Sequence, residues 1–248
     1  MTANLHQPFH KPRAHKTRLF LAAVLGALLP GFAAAQASGA QVPDTMAQRM
    51  QACTVCHGKE GRATNEGYFP RIAGKPAGYL YNQLLNFREG RRHNATMAYL
   101  VEHLSDDYLR EIAHHFAALD LPYPPAQTSG AARSQLELGA QLVRQGDPGR
   151  GIPACVACHG QKMTGVEPAM PGLVGLPRDY VMGQLGAWRT GQRRAAEPDC
   201  MAAIAKRLSP QDVSAVAVWL SSQTPPADSK PARQPTLPLP LECGSGLQ

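Results

Sequence analysis

The pentapeptide Cys53-Thr54-Val55-Cys56-His57 returns 102 residues later as Cys155-Val156-Ala157-Cys158-His159, and the residues after each copy repeat in the same order. Pro70-Arg71-Ile72-Ala73-Gly74 matches Pro171-Gly172-Leu173-Val174-Gly175 at an offset of 101. The same offset pairs Pro76 with Pro177, Tyr79 with Tyr180, Gln83-Leu84 with Gln184-Leu185, Phe87-Arg88 with Trp188-Arg189 and Gly90 with Gly191. Three more residues then enter the second copy. At an offset of 104, Met97 meets Met201 and Leu104-Ser105 meets Leu208-Ser209, with Phe116 near Trp219. A repeat of this length, ordered at every landmark, implies two copies of one folding unit.

Composition marks the boundaries. Residues 120–131 are rich in Pro, Ser and Gly and read as a linker, and after Gln223 the chain stays Pro-rich to its end. The expected organisation is a first domain over 40–120, a linker over 121–131, a second domain over 132–224 and a tail over 225–248. Residues 77–89 carry Leu80, Leu84, Leu85 and Phe87 at helical spacing. Ser105-Asp106-Asp107 caps a helix running to Leu119, Ser209 with Pro210 caps its equivalent, and residues 136–145 open the second domain. No stretch alternates apolar and polar residues long enough to demand a sheet. The expected class is all-α, and each half is small for a core of its own, so an internal cofactor would help bury apolar surface.

Residues 1–35 read as an export leader. Lys11, Arg13, Lys16 and Arg18 precede an apolar run from Leu19 to Leu29, and Ala33-Ala34-Ala35 and Ala35-Gln36-Ala37 fit a small-residue cleavage site. The run is short for a membrane span, which takes roughly 20 apolar residues. The whole chain is formally +7, but four of its 25 basic residues lie in the leader, leaving 21 against 18 acidic ones, or about +3. That balance does not describe a nucleic-acid binder.

Cys-x-x-Cys-His reads as c-type haem attachment. Two thiols three residues apart can each bond one vinyl group of a porphyrin, and the adjacent His then lies near the ring centre. A redox dithiol needs no following His, and a zinc site needs free thiolates. Two matched copies favour haem at Cys53/Cys56 and Cys155/Cys158, with His57 and His159 as iron ligands. The sixth ligand is constrained by the repeat. Three of the nine His residues lie in the leader, and His159 is the only His of the second domain. Met163, Met170, Met182, Met201, a Lys or water remain there. Only Met201 has a matched counterpart, Met97, so this pair is the expected ligation. His93 and His103 are rivals in the first domain, but Arg194 and Arg207 stand at their equivalents. Tyr79, Arg88, Tyr180 and Arg189 recur and are candidates to hydrogen-bond haem propionates.

With these motifs, the Tyr-x-x-x-Gln-Leu segments and the two Met-bearing stretches, residues 44–224 resemble the dihaem cytochrome c4 family, built from two class I cytochrome c domains. The resemblance implies a periplasmic one-electron carrier with two covalent haems, ligated by His57/Met97 and His159/Met201. It also implies redox partner proteins: a quinol-oxidising complex or a dehydrogenase as donor, a terminal oxidase or another periplasmic protein as acceptor. The rival readings are a dihaem redox enzyme of the peroxidase or thiosulfate dehydrogenase type, and a cytochrome subunit of a membrane dehydrogenase. Cys200 and Cys243 depart from the family's pattern. An even leftover pair in an oxidising compartment suggests a disulfide that ties the tail over the second Met-bearing stretch.

Overall fold

Helix start signals in the sequence set most of the architecture. In the computed structural model, which describes residues 43–63, 68–127, 129–233 and 239–246, Thr45 accepts from the Gln48 amide and opens α1 (Met46–Arg49). α2 (Gln51–His57) comes directly after it and carries the first Cys-x-x-Cys-His. α3 (Ala77–Arg88) begins behind Pro76, α4 (Ala95–Val101) behind Asn94 and α5 (Asp106–Ala117) behind Ser105. The second half repeats the order with α6 (Arg133–Arg144), α7 (Val156–His159), α8 (Arg178–Thr190), α9 (Cys200–Arg207) and α10 (Pro210–Ser221). At α10, Ser209 Oγ accepts from the Asp212 amide at 3.1 Å and Asp212 Oδ2 accepts from the Ser209 amide at 2.8 Å, a reciprocal capping box.

Two apolar cores result. In the first half, Leu109, Ile112 and Phe116 of α5 pack on Leu80 and Phe87 of α3 and on Val101 of α4. In the second, Val213, Val216, Ala217 and Leu220 of α10 meet Leu142 and Val143 of α6 and Val181 and Leu185 of α8. Leu109 and Leu142 are almost wholly buried, and each such leucine contributes about 2 kcal/mol of transfer free energy. Gly139 sets the closeness of the α6–α10 crossing, because a Cβ there would lie 2.3 Å from the Ala215 carbonyl oxygen.

Three details differ from the sequence reading. A two-residue antiparallel ladder, β1 (Gly165–Val166) with β2 (Met170–Pro171), lies between α7 and α8. It is too short to show as alternation. α6 starts at Arg133, three residues early, since Ala132 is already extended and nothing in 133–135 opposes a helix. The linker is tied down rather than free. Arg71 donates to the carbonyls of Leu121 (2.5 Å) and Pro122 (3.0 Å), and the Gln127 amide donates to Ser221 O. The tail is tied too, for Ala232 exchanges backbone hydrogen bonds with Gly165 and Glu167 beside the ladder. The leader over 1–35 lies outside the described residues. Among the described residues, no helix is long and apolar enough to cross a membrane.

Candidate functional site

One turn of helix brings the two thiols of each motif to a single face, because residues three apart are neighbours on a helix. Each helix ends where Gly58 (φ +75°) or Gly160 (φ +83°) takes a backbone conformation that other residues rarely adopt. Behind them the chain folds back so that Pro70 and Pro171 present their carbonyls to the rings of His57 and His159. Nδ1 lies 2.8 Å from the carbonyl oxygen in both cases. A carbonyl only accepts, so Nδ1 carries the proton and Nε2 keeps its lone pair for a metal. Burial pushes both histidines below the usual imidazole range, against the opposing effect of these hydrogen bonds, with Arg92 adding to the fall at His57 and Lys75 at His159. Both rings are therefore held neutral, as ligands must be.

Three of the four thiols are tuned away from nucleophiles. Burial pushes Cys155 up to about 11 and raises Cys53 and Cys158 as well. A reactive Cys-x-x-Cys needs a depressed value. Among the described residues no three His, Cys, Asp or Glu side chains gather as a zinc site requires.

Met97 and Met201 sit in the first turns of α4 and α9 rather than in loops. Asn94 Oδ1 accepts from the Met97 amide at 3.0 Å, and Asp199 Oδ1 accepts from the Ala202 amide at 2.9 Å, so a side-chain cap fixes the turn carrying each sulfur. Both methionines are half-buried, and they line the same cavity, of about 920 Å³, as the two Cys-x-x-Cys-His motifs. Met163 is buried in the second core and Met182 faces outward, while Met170 lines the same cavity as Met201. Of the rival histidines, His103 is exposed away from the cavity and His93 is exposed at its edge.

The polar groups of the cavity gather where the two halves meet. Arg92 donates to Gln83 Oε1 (2.9 Å), Gln184 Oε1 (2.8 Å) and Tyr180 Oη (3.1 Å). Arg193 mirrors it, donating to Gln184 Oε1 (2.7 Å), Gln83 Oε1 (2.8 Å) and Tyr79 Oη (3.5 Å). Every one of these partners is a neutral oxygen, so two guanidiniums share the cavity wall with no side-chain anion bonded to either among the described residues. Beside them the indole Nε1–H of Trp188 is buried without a hydrogen-bond partner among the described residues, under the Arg193 guanidinium at 3.8 Å from the ring centre. An apolar cavity with paired thiols, metal-ready imidazoles, uncompensated cations and an orphan N–H fits an apolar macrocycle that bears carboxylates.

The structure revises one sequence expectation and adds to it. Tyr79 and Tyr180 do face the cavity, but Arg88 and Arg189 turn away from it. They donate to the carbonyls of Leu104 (2.8 Å) and Leu208 (2.5 Å) and so anchor the approaches to α5 and α10. Arg92 and Arg193 enter the cavity instead. They too are matched at an offset of 101, but each stands beside another arginine, Arg91 or Arg194, and the sequence does not say which of the two turns inward. Cys200 and Cys243 are bonded to each other, with Cα atoms 5.1 Å apart.

No family model matches the chain. A thiosulfate dehydrogenase electron acceptor of Thiomonas intermedia is 37% identical over 207 residues, 83% of this chain and 91% of that protein. Cytochrome c4 of Pseudomonas aeruginosa is 32% identical over 68% of this chain and 82% of its own length. The chain belongs to the cytochrome c4 family. The crystal structure of cytochrome c4 from Pseudomonas stutzeri superposes on 71% of this chain and 95% of its own, with a TM-score of 0.62 and 27% identity, in keeping with an all-α fold. A thiosulfate dehydrogenase from Marichromatium purpuratum matches with a TM-score of 0.61 and 32% identity, and this chain spans only 36% of that protein's length. Family membership makes haem c the implied cofactor and electron transfer, rather than catalysis, the task.

Proposed function

We propose that the chain is a periplasmic dihaem carrier that takes electrons from a sulfur-compound dehydrogenase and passes them to a terminal oxidase or another periplasmic acceptor. Cys53 and Cys56 hold one haem, Cys155 and Cys158 the other. His57 with Met97, and His159 with Met201, cap the two irons. The domains run over 40–120 and 132–224, joined by residues 121–131. The observation that carries the reading is that one cavity is lined by both thiol pairs, both Nδ1-bonded imidazoles and both capped methionines. When bound, haem supplies a one-electron couple whose potential is raised by His/Met ligation. The chain's own part is to hold each imidazole in one tautomer, fix each methionine turn, exclude water with apolar walls and offset propionate charge with Arg92 and Arg193. With His57 and Met97, or His159 and Met201, as its two protein ligands, each iron would change oxidation state with little rearrangement of the chain.

The choice of donor is supported by the Thiomonas relative, which is named as an electron acceptor of thiosulfate dehydrogenase. The leader over 1–35 supports export. The test is to mature the full chain with its haems, oxidise it, and mix it rapidly with a thiosulfate dehydrogenase and thiosulfate. Both haems should turn ferrous well ahead of an enzyme-free control. Reduction no faster than that control removes this donor, and a mature polypeptide without added porphyrin mass removes the reading of the site.

A further inference from the structure

Lys75 breaks the internal symmetry at one place in the cavity. At the offset that pairs Gly74 with Gly175 and Pro76 with Pro177, the residue opposite Lys75 is Leu176. The lysine crosses from the first half to the second. Its Nζ donates to Gly172 O at 2.8 Å, reaches Tyr123 Oη at 3.5 Å and lies 5.6 Å from the centre of that ring. Gly172 is the residue after Pro171, whose carbonyl receives the Nδ1–H of His159. An ammonium group is thus held one residue along the chain from the carbonyl that orients His159. Lys75 is only 3% exposed, and it shares the cavity wall with Gly172 and His159.

Both hydrogen-bond partners of Lys75 among the described residues are neutral, so no bonded anion there diminishes its charge. Buried charge is weakly screened by salt and acts through a lower effective dielectric than water. Arg92 and Arg193 mirror each other in their hydrogen bonds, although Arg92 also bears on His57, the histidine of its own half. Arg71, whose counterpart is Gly172, is a second buried cation on the cavity wall, but it stays in its own half: its guanidinium turns to the carbonyls of Ala73, Leu121 and Pro122 and lies over the Tyr123 ring at 4.0 Å. Lys75 is the cation that one half lends to the histidine side of the other, and Leu176 lends nothing back.

We propose that Lys75 sets the order of the two redox sites by holding its charge against the His159 side of the second one, which makes that site the electron's resting place. The inference rests on the carrier reading proposed for this chain. A ferric haem carries one more positive charge than a ferrous one, so a fixed neighbouring cation disfavours the oxidised form. Lys75 is a positioning residue, acting through the backbone and its field rather than as an iron ligand.

The experiment is a spectroelectrochemical titration of the full chain carrying both haems, as wild type and as Lys75→Met, Lys75→Gln and Lys75→Arg. Gln keeps a donor for Gly172 O but no charge, and Arg keeps the charge. In the Met and Gln variants, the ferrous-to-ferric ratio of one haem at fixed potential should fall about tenfold, which is ~59 mV for a one-electron couple. The other haem should stay in place, and Lys75→Arg should stay near wild type. The step that moves should be the one displaced by Met201→His, not the one displaced by Met97→His. Equal movement of both steps, movement of the Met97 step, or a two-haem Lys75→Gln protein with both steps unmoved would each overturn the inference while leaving the carrier reading intact. A wild-type chain that matures without porphyrin overturns the carrier reading and this inference with it.

Discussion

Arg92 and Arg193 donate to the same two amide oxygens, Gln83 Oε1 at 2.9 and 2.8 Å and Gln184 Oε1 at 2.8 and 2.7 Å. The segments that carry them are stitched together as well: Arg92 pairs with Arg193 as an isolated antiparallel bridge, and the Arg194 amide donates to Arg91 O at 2.7 Å. Each guanidinium also covers an aromatic face, Phe87 at 4.6 Å and Trp188 at 3.8 Å. Two like charges held this close are costly unless an anion joins them.

That cost predicts what Arg193 is for. In the two-haem protein, Arg193→Met should lower both reduction steps, because the guanidinium stands at the meeting of the halves and favours the less positive form of each iron. Arg193→Lys should not restore them fully, since a single ammonium cannot bond Gln83, Gln184 and a carboxylate in one plane. The measurement is the same potentiometric titration. If Arg193→Met leaves both steps where wild type has them, the pair is a packing feature and not a propionate site.

How much of this is legible in the sequence depends on what each residue answers to. The two cores and the order of helices come from the repeat, because Leu80, Leu109, Leu142 and Leu185 answer to local periodicity. The capped starts of α5 and α10 come from Ser105 and Ser209, whose side chains bond amides three residues on. The tyrosines and glutamines of the cavity's polar wall show in the repeat, but its arginines do not, and the reason is physical. Arg88 and Arg92 lie one helical turn apart by sequence, yet α3 ends at Arg88, and Gly90 takes a φ of +68° that redirects the chain before Arg92. Which arginine enters the cavity is decided by that turn and by a partner 101 residues away. Lys75 carries no signal either, for its partners Tyr123 and Gly172 become neighbours only when the halves dock.

The Cys200–Cys243 bond fastens the tail to the first residue of α9, beside Met201. From there the tail reaches the other half, where Asn82 Nδ2 donates to Ser245 O at 3.1 Å, while the Gly244 amide donates to Pro198 O. Closing a loop with a sequence separation of 43 should stabilise the chain by about 4 kcal/mol in loop entropy. Cys243→Ser should therefore lower the melting temperature by about 10 °C, at roughly 2–4 °C per kcal/mol for a chain of this size. Differential scanning calorimetry of the matured protein checks it. Because Met201 is also held by the Asp199 cap, the variant should keep its methionine-ligated spectrum at room temperature; loss of that spectrum would mean that the disulfide, not the cap, fixes the turn.

Acid should weaken the second half through Asp212. Burial alone would raise this carboxyl, but the bonds from Arg150 Nη1 at 2.7 Å and from the Ser209 amide outweigh it, and its value falls below the usual 3.8. A group whose folded value is depressed contributes stability above its unfolded value and loses it as pH falls through the folded one. Stability from this contact is thus complete above about pH 4 and fades below it. Asp212→Asn should cost about 1–3 kcal/mol at pH 7, because an amide cannot serve both the capping box and the Arg150 ion pair. It should also flatten the fall in melting temperature between about pH 4 and pH 2, since the residue that titrates there is gone. Ser209→Ala, which removes the cap and keeps the Arg150 pair, should lose less at pH 7 and retain most of the acid slope. Melting curves of the three proteins across that range decide the matter: an unchanged acid slope in Asp212→Asn would place the acid-sensitive group elsewhere.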